Sequence, residues 1–352
     1  VLAETPDLER TVFFVSGQQA VQTVVAEGMA RQQRAWREHC VLTKPPGEPT
    51  WEMVRDGAEA IRHAKPNRIV GIGGGSVLDW CRLAWAASID ALDQPSALRA
   101  LRTKDPIRPE IWLVPTTCAT GAEAAGVAVY TRDGKKTPSV SPAYVADEVI
   151  LDGRFLETLS SEELANCLCD ALSHAIEAYV SLVPCALAEE AALSALRRII
   201  QTFHPDDRTH DYQALLEASY LAGLAASHCS VGVVHAFAHT AAACGVRHGH
   251  ANALGLVPGI RLNSSTKPLR RLVDNCRLEN AEALVGKIEP ITEAAVRHGD
   301  HSKLMDVLRG PSSRQDFVQS MLHDDCLRTN ATPISRHDVD RYLEQVLQVG
   351  AL

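Results

Sequence analysis

The sequence predicts an α/β half built on a parallel sheet, followed by an all-helical half. Three observations carry this. Short apolar runs alternate with helix-like segments up to about residue 155. From about Ser160 the chain turns rich in Ala and Leu, with helical periodicity and few strand candidates. Two of the early apolar runs also end in small polar turns, "GIGGGS" and "PTTCATGAE", as parallel strands do where they meet ligands.

In chain order, "TVFFVSG" reads as a strand, followed by a helix from about Gln18 to Arg37. "HCVLT" is a second short strand, and "WEMVRDGAEAIRHA" has helical spacing. "RIVGIGGGS" is a buried strand running into glycines, and "IWLVPTT" is a strand ending in polar residues. This β-α-β-α-β order puts helices on both faces of the sheet. Ser160 with Glu163 fits a capping box that opens the first helix of the second half. The boundary is placed near 155, giving domains 1–155 and 156–352. "HPDDRTHD" and "TKPLRR" read as loops or helix termini, and there is no internal repeat.

Composition narrows the function. The 352 residues are 46% hydrophobic and 22% charged, with a formal net charge of -8. That balance, without a basic stripe, argues against a nucleic-acid partner. No apolar run approaches the length of a membrane span. The N-terminus lacks a basic segment followed by an apolar one, so it does not read as a signal peptide. It also begins without Met, as expected of a processed or trimmed chain. Ten cysteines are scattered with no CxxC pair, which predicts buried, reduced thiols in a cytoplasmic protein.

The glycine turn Gly71–Arg82, "GIGGGSVLDWCR", follows a strand and opens a helix. Its backbone N–H groups and helix N-terminus suit a pyrophosphate. It is not GxGxxG, because Ser76 occupies the third position, and a plain tight turn explains it about as well. "PTTCATGAE" adds the hydroxyls of Thr116, Thr117 and Thr120, although a capped helix start would also use Thr. Together the two turns suit the two ends of one dinucleotide.

Four histidines, His235, His239, His248 and His250, sit in the otherwise apolar stretch "HAFAHTAAACGVRHGHAN". His235 and His239 are spaced i, i+4, as are Asp170 and His174 in "DALSH". Each pair projects from one helix face. Gly249 suggests a helix end beyond them. A single pair is more often ordinary core or surface. Two pairs on Ala-rich helices favour a divalent cation, because imidazoles and a carboxylate buried without partners are costly. An N/O donor set suits Fe(II) or Zn(II) better than Mg or Ca. There are more histidines than ligands required, which leaves His239 and His250 for proton transfer, orientation or substrate contact.

These motifs, with "KPPGEPTWEMV", "KTPSVSPAYVADEVILD" and "LVPGIRLN", resemble the iron-containing (group III) alcohol dehydrogenase family in order over most of the chain. The resemblance implies a dinucleotide-binding domain, an all-α metal-binding domain and an active site in the cleft between them. It places metal ligands on Asp170, His174, His235 and His248, and a catalytic histidine near nicotinamide and substrate on His239. Cofactor positions fall on Gly73, Gly74, Gly75, Ser76, Asp79, Thr116, Thr117, Thr120 and Lys136. The implied chemistry is reversible hydride transfer between nicotinamide C4 and a carbonyl carbon, with the metal as Lewis acid on the oxygen. Expected partners are a small aldehyde or alcohol and, as an oligomer, a second copy of the chain in a homodimer.

Departures from the family pattern refine these expectations. The His235-to-His248 gap is one residue shorter than usual, Arg247 replaces a common Pro, Arg82 a common Lys, and Glu48 a common Asn. The chain starts late, without the usual N-terminal β segment. Gly17, beside Ser16, stands where NAD-preferring relatives carry an Asp, so NADPH is expected to be accepted and preferred over NADH. Arg247 beside a ligand is read as binding an anionic group, as in family members that reduce phosphonoacetaldehyde to 2-hydroxyethylphosphonate. A solvent-facing Arg is the plain alternative. A dehydroquinate synthase-like lyase and a non-catalytic binding protein are the competing readings.

Overall fold

The computed structural model describes residues 10–30, 40–103, 105–204, 210–297 and 299–351. Contacts divide the chain into two units. The first comprises 1–117 and 121–158, and the second comprises 118–120 and 159–352.

The first unit holds a five-stranded parallel sheet. Its strands are β1 (Thr11–Ser16), β2 (Cys40–Lys44), β3 (Arg68–Gly73), β4 (Glu110–Pro115) and the short β7 (Glu148–Val149), in the order β2-β1-β3-β4-β7. The interiors of β1, β3 and β4 are apolar and buried, because both faces of the sheet are covered there. Val12 and Phe14 point into one core with Ile69 and Leu113, against α2 (Trp51–Ala64) and α3 (Gly75–Ser88). Phe13 and Val15 point the other way, with Val70, Val114 and Val21 of α1 (Gln19–Ala30). The last part of the helix expected over Gln18–Arg37 lies outside the described residues.

A short α4 (Pro95–Ala100) precedes β4. An antiparallel hairpin of β5 (Val127–Arg132) and β6 (Lys135–Val140) was not foreseen. Its signal is Asp133-Gly134, both at positive φ (51° and 73°), the favoured two-residue hairpin loop. The Thr-rich turn after β4 is a bend with a 3-10 turn at Ala122–Ala124 rather than an α-helix start.

Among the described residues the second unit is all helical. α5 (Ser161–Val180) opens with the expected Ser160/Glu163 capping box and is buried almost throughout. It packs against α6 (Ala186–Thr202), α7 (Tyr212–Cys229), α9 (His248–Asn263) and α11 (Ala281–Val296). α8 (Val233–Ala241) packs on α9. "TKPLRR" starts α10 (Lys267–Asn275), capped by Thr266. α12 (Ser302–Arg309), α13 (Pro311–Leu322) and α14 (Arg336–Val349) complete the unit. Most of "HPDDRTHD" lies outside the described residues. Among those described, no single helix is long and apolar enough to cross a membrane, and the ten cysteines are free.

Candidate functional site

α5 carries Asp170, His174 and Glu177 on one inward face, at i, i+4 and i+7. α8 brings His235 and His239, and α9 begins at His248. Gly249 therefore sits in the first turn of α9 rather than at a helix end. The physical reason for it is close packing: a Cβ there would lie 2.5 Å from the Asn166 carbonyl oxygen on α5.

The donor atoms of Asp170, His235 and His248 lie within 4.8 Å of one another. His235 Nε2 is 3.7 Å and His248 Nε2 3.5 Å from Asp170 Oδ1. His174 joins through its Nε2, 3.1 Å from His235 Nε2. Two nitrogens bound to one tetrahedral cation at 2.0–2.1 Å would be about 3.3 Å apart. Asn252 Nδ2 donates to Asp170 Oδ1 at 2.7 Å, and Thr120 Oγ1 to Oδ2 at 3.3 Å. Glu177 accepts from His235 Nδ1 at 2.7 Å. With Nδ1–H spent on that carboxylate, His235 Nε2 carries the lone pair a metal needs.

The electrostatics agree with a cation. Burial alone would raise the Asp170 carboxyl, yet His174, His248 and His235 hold it well below the usual carboxylate range. Burial brings His174 down to about 4 and His248 to about 3, so both are neutral at ordinary pH. Burial opposes protonation of His235 too, but its bonds to Asp170 and Glu177 push it up to about 9 when no metal is bound. His174 Nδ1 is buried with no hydrogen-bond partner. Two buried carboxylates facing three imidazoles fit a divalent cation.

In the first unit, β3 runs through Gly73 into α3, whose N-cap is Gly74 and whose first turn has no side-chain cap. Gly75 and Ser76 open the helix, leaving backbone N–H groups for an anion. Thr117 flanks the turn: a Cβ on Gly74 would come within 3.2 Å of its hydroxyl. Thr116 is buried, and its N–H donates to Gly73 O at 3.0 Å.

Residues 1–153 match the iron-containing alcohol dehydrogenase family, and residues 164–347 match the C-terminal part of the Fe-containing alcohol dehydrogenase family. The probable alcohol dehydrogenase EutG of Salmonella typhimurium is 31% identical over 81% of this chain and 74% of its own length. The chain belongs to the iron-containing alcohol dehydrogenase family. Among solved structures, sulfoacetaldehyde reductase from Bifidobacterium kashiwanohense, in complex with NAD+, superposes with a TM-score of 0.84 at 23% identity. That match covers 98% of this chain and 93% of the other. The iron-containing alcohol dehydrogenase from Thermococcus thioreducens does so at 0.79 and 22%, over 97% and 93%. As a member of this family the protein is an oxidoreductase that uses a metal and a nicotinamide dinucleotide on a small alcohol or aldehyde. The lyase alternative is not favoured.

Not all the expected site residues of this dehydrogenase meet. His239 stands beside the donors, its ring stacked on that of His248 at 5.7 Å between centroids. His250 does not face them. It is buried, with Nδ1 against Ala295 O at 3.1 Å and Nε2 against His301 Nδ1 at 3.0 Å. Two residues along a helix is a rotation of about 200°, which turns His250 away from the face of His248. Arg247, expected to aim at substrate, is 68% exposed and pairs with Glu162 at 3.6 Å. Asp79, expected at the cofactor, is committed within the protein: Arg82 donates to it at 2.5 Å and Val129 N at 2.9 Å. Lys136 is ion-paired with Glu48 at 3.0 Å.

Ser16 Oγ accepts from Gln18 N at 3.2 Å. At Gly17 a Cβ would meet Lys44 O at 2.5 Å, so the close approach of β2 requires glycine there. Sequence reasoning missed Glu177, Asn252 and Asp324. Glu177 was visible as the next residue on the face of Asp170 and His174. It also missed what Arg82 does: the buried guanidinium donates to Ala122 O at 2.9 Å and Ala125 O at 2.6 Å, tying the threonine turn to α3.

Proposed function

We propose that the protein reduces a small aldehyde to its alcohol by hydride transfer from a nicotinamide nucleotide, with Fe(II) or Zn(II) held by Asp170, His174, His235 and His248. The observation that carries this is the largely buried donor set, with His235 oriented by Glu177. A divalent cation there supplies Lewis acidity toward the substrate oxygen. The chain's own residues do the rest. Asn252 and Thr120 hold the Asp170 carboxylate in place. Glu177 fixes the His235 tautomer. In this reading His239, 44% exposed beside the donors, meets the substrate and exchanges the proton. Residues 1–155 are assigned to the dinucleotide and 156–352 to metal and substrate.

NADPH is the preferred cofactor in this reading, because Gly17 and Ser16 offer no carboxylate to repel a 2′-phosphate. The substrate is a small anionic aldehyde such as phosphonoacetaldehyde. An anionic substrate has a precedent in the sulfoacetaldehyde reductase of the same fold. Arg247 precedes His248 directly, and its 3.6 Å pair with Glu162 is exposed, worth about 1 kcal/mol or less. An arriving anion can therefore win the guanidinium. An aldehyde panel of phosphonoacetaldehyde, sulfoacetaldehyde and propanal, run with NADPH and NADH after iron or zinc loading, tests all of this. Aldehyde-dependent NADPH oxidation is expected, with Arg247→Ala raising KM for the anions far more than for propanal. Absence of turnover with every aldehyde overturns the function. Equal effects of Arg247→Ala on all substrates overturn the anionic reading alone.

A further inference from the structure

Each of the two histidines of α8 turns its Nδ1 toward a carboxylate. His235 gives its Nδ1 to the Glu177 carboxylate, and His239 gives its Nδ1 to Asp324 Oδ2 at 2.9 Å. Asp324 lies 85 residues further along the chain, in the segment after α13. Its other oxygen, Oδ1, accepts from Cys326 N at 2.9 Å, capping the short 3-10 turn Asp325–Thr329. Burial would raise this carboxyl, but the bonds from His239 and Cys326 bring it down to about 2. An ionised carboxylate only accepts hydrogen bonds. His239 Nδ1 must therefore carry the proton, which leaves Nε2 as the nitrogen able to accept one from outside. Cys326 Sγ lies 3.9 Å from the same Nδ1, a longer contact than that of Asp324, and is pushed toward the neutral thiol by burial and by Asp324.

We infer that Asp324 is a positioning residue for the reaction: it fixes the tautomer and the ring plane of His239, so that Nε2 is presented as the proton-exchanging atom beside the donor cluster. The inference rests on the reading of His239 as the group that meets substrate. The ring is held by two contacts of different kinds. Asp324 sets its rotation through Nδ1, and the stack on His248, at an interplanar angle of 20°, sets its plane. An imidazole left 44% exposed without the carboxylate would exchange tautomers and rotamers freely.

The test is Asp324→Asn. The substitution keeps the shape, and its oxygen can still accept from Cys326 N. Its NH2 must then face His239 Nδ1, which becomes an acceptor, and the proton moves to Nε2. Long-range 15N–1H NMR on the zinc-loaded or metal-free protein reads the tautomer without any turnover. Nδ1–H is expected in the parent and Nε2–H in the variant. In the loaded enzyme kcat should fall about 100-fold with little change in KM or bound metal. In a His239→Ala background the same substitution should change kcat no further. The inference is overturned if the tautomer is unchanged, if kcat per bound metal is unchanged while only thermal stability falls, or if the two substitutions multiply. A parent that turns over normally but is indifferent to His239→Ala removes the catalytic reading of His239 instead, and with it the catalytic role of Asp324.

Discussion

Glu177→Gln replaces one carboxylate oxygen by an amide nitrogen at the most crowded point behind the donor cluster. Glu177 is 4% exposed and accepts three N–H groups: His235 Nδ1 at 2.7 Å, Val234 N at 2.7 Å and His235 N at 3.4 Å. The first orients a metal ligand. The other two cap α8, whose own N-cap, Gly232, supplies no side-chain bond. A Gln can keep its oxygen on Val234 N, but then its NH2 faces His235 Nδ1. The imidazole must move its proton to Nε2, the atom that faces Asp170 and His174. Losing a partner of this kind costs about 10- to 100-fold in metal affinity, or roughly 1.4–2.8 kcal/mol. The α8 N-terminus also loses a negative charge worth about 0.3–1 kcal/mol, which lowers the Tm of the metal-free protein by a few degrees. Zinc or cobalt titration of the metal-free protein, with a competing chelator, measures the first loss, and calorimetry measures the second. An unchanged metal Kd with a lowered Tm would refute the reasoning and leave Glu177 as a helix cap alone.

Three further outcomes are expected. Gly249→Ala forces a Cβ to within 2.5 Å of Asn166 O, so α9 must move off α5 at a cost of about 1–3 kcal/mol and carry His248 with it. Gly286→Ala, in α11 with nothing within 4 Å, should instead gain about 0.5–1 kcal/mol, and urea unfolding with metal analysis separates the two. Arg82→Met leaves Asp79, 14% exposed, without its cationic partner and should cost about 3 kcal/mol. Arg82→Lys keeps the charge but loses the Ala122 and Ala125 carbonyls, so KM for the nicotinamide nucleotide should rise while metal content holds. Glu123 is 3% exposed with Oε1 unpartnered, and burial pushes its carboxyl up to about 7 from 4.5. The folded state thus keeps a proton that the unfolded state releases. This contribution is full below pH 4.5 and is lost as pH rises through 7, on the order of 3 kcal/mol. Glu123→Gln should flatten stability against pH across that window, and an unchanged slope would count against the buried-proton account.

The chain's own periodicity settled the architecture. The runs TVFFVS, RIVGIG and EIWLVP are apolar at every interior position, as a strand covered on both faces is. The structure sends Val12 and Phe14 to one side and Phe13 and Val15 to the other. Asp170 and His174 were readable as a pair because a helix turns about 100° per residue whatever surrounds it. The same local geometry makes Ser160 and Glu163 a cap. What local geometry cannot hold is which side chain meets which across the chain. Asp324 reaches His239 over 85 residues, and Asn252 reaches Asp170 over 82. Both contacts depend on how closely and at what angle helices pack, and a single atom decides that, as the missing Cβ of Gly249 does. His250 shows the converse. Adjacency to His248 in sequence suggested a shared task, but the helical turn directs it toward His301 instead. Element type follows from short-range sterics and hydrophobic spacing, and so survives in the sequence alone. The orientation of a buried polar group follows from the partners that tertiary packing delivers to it.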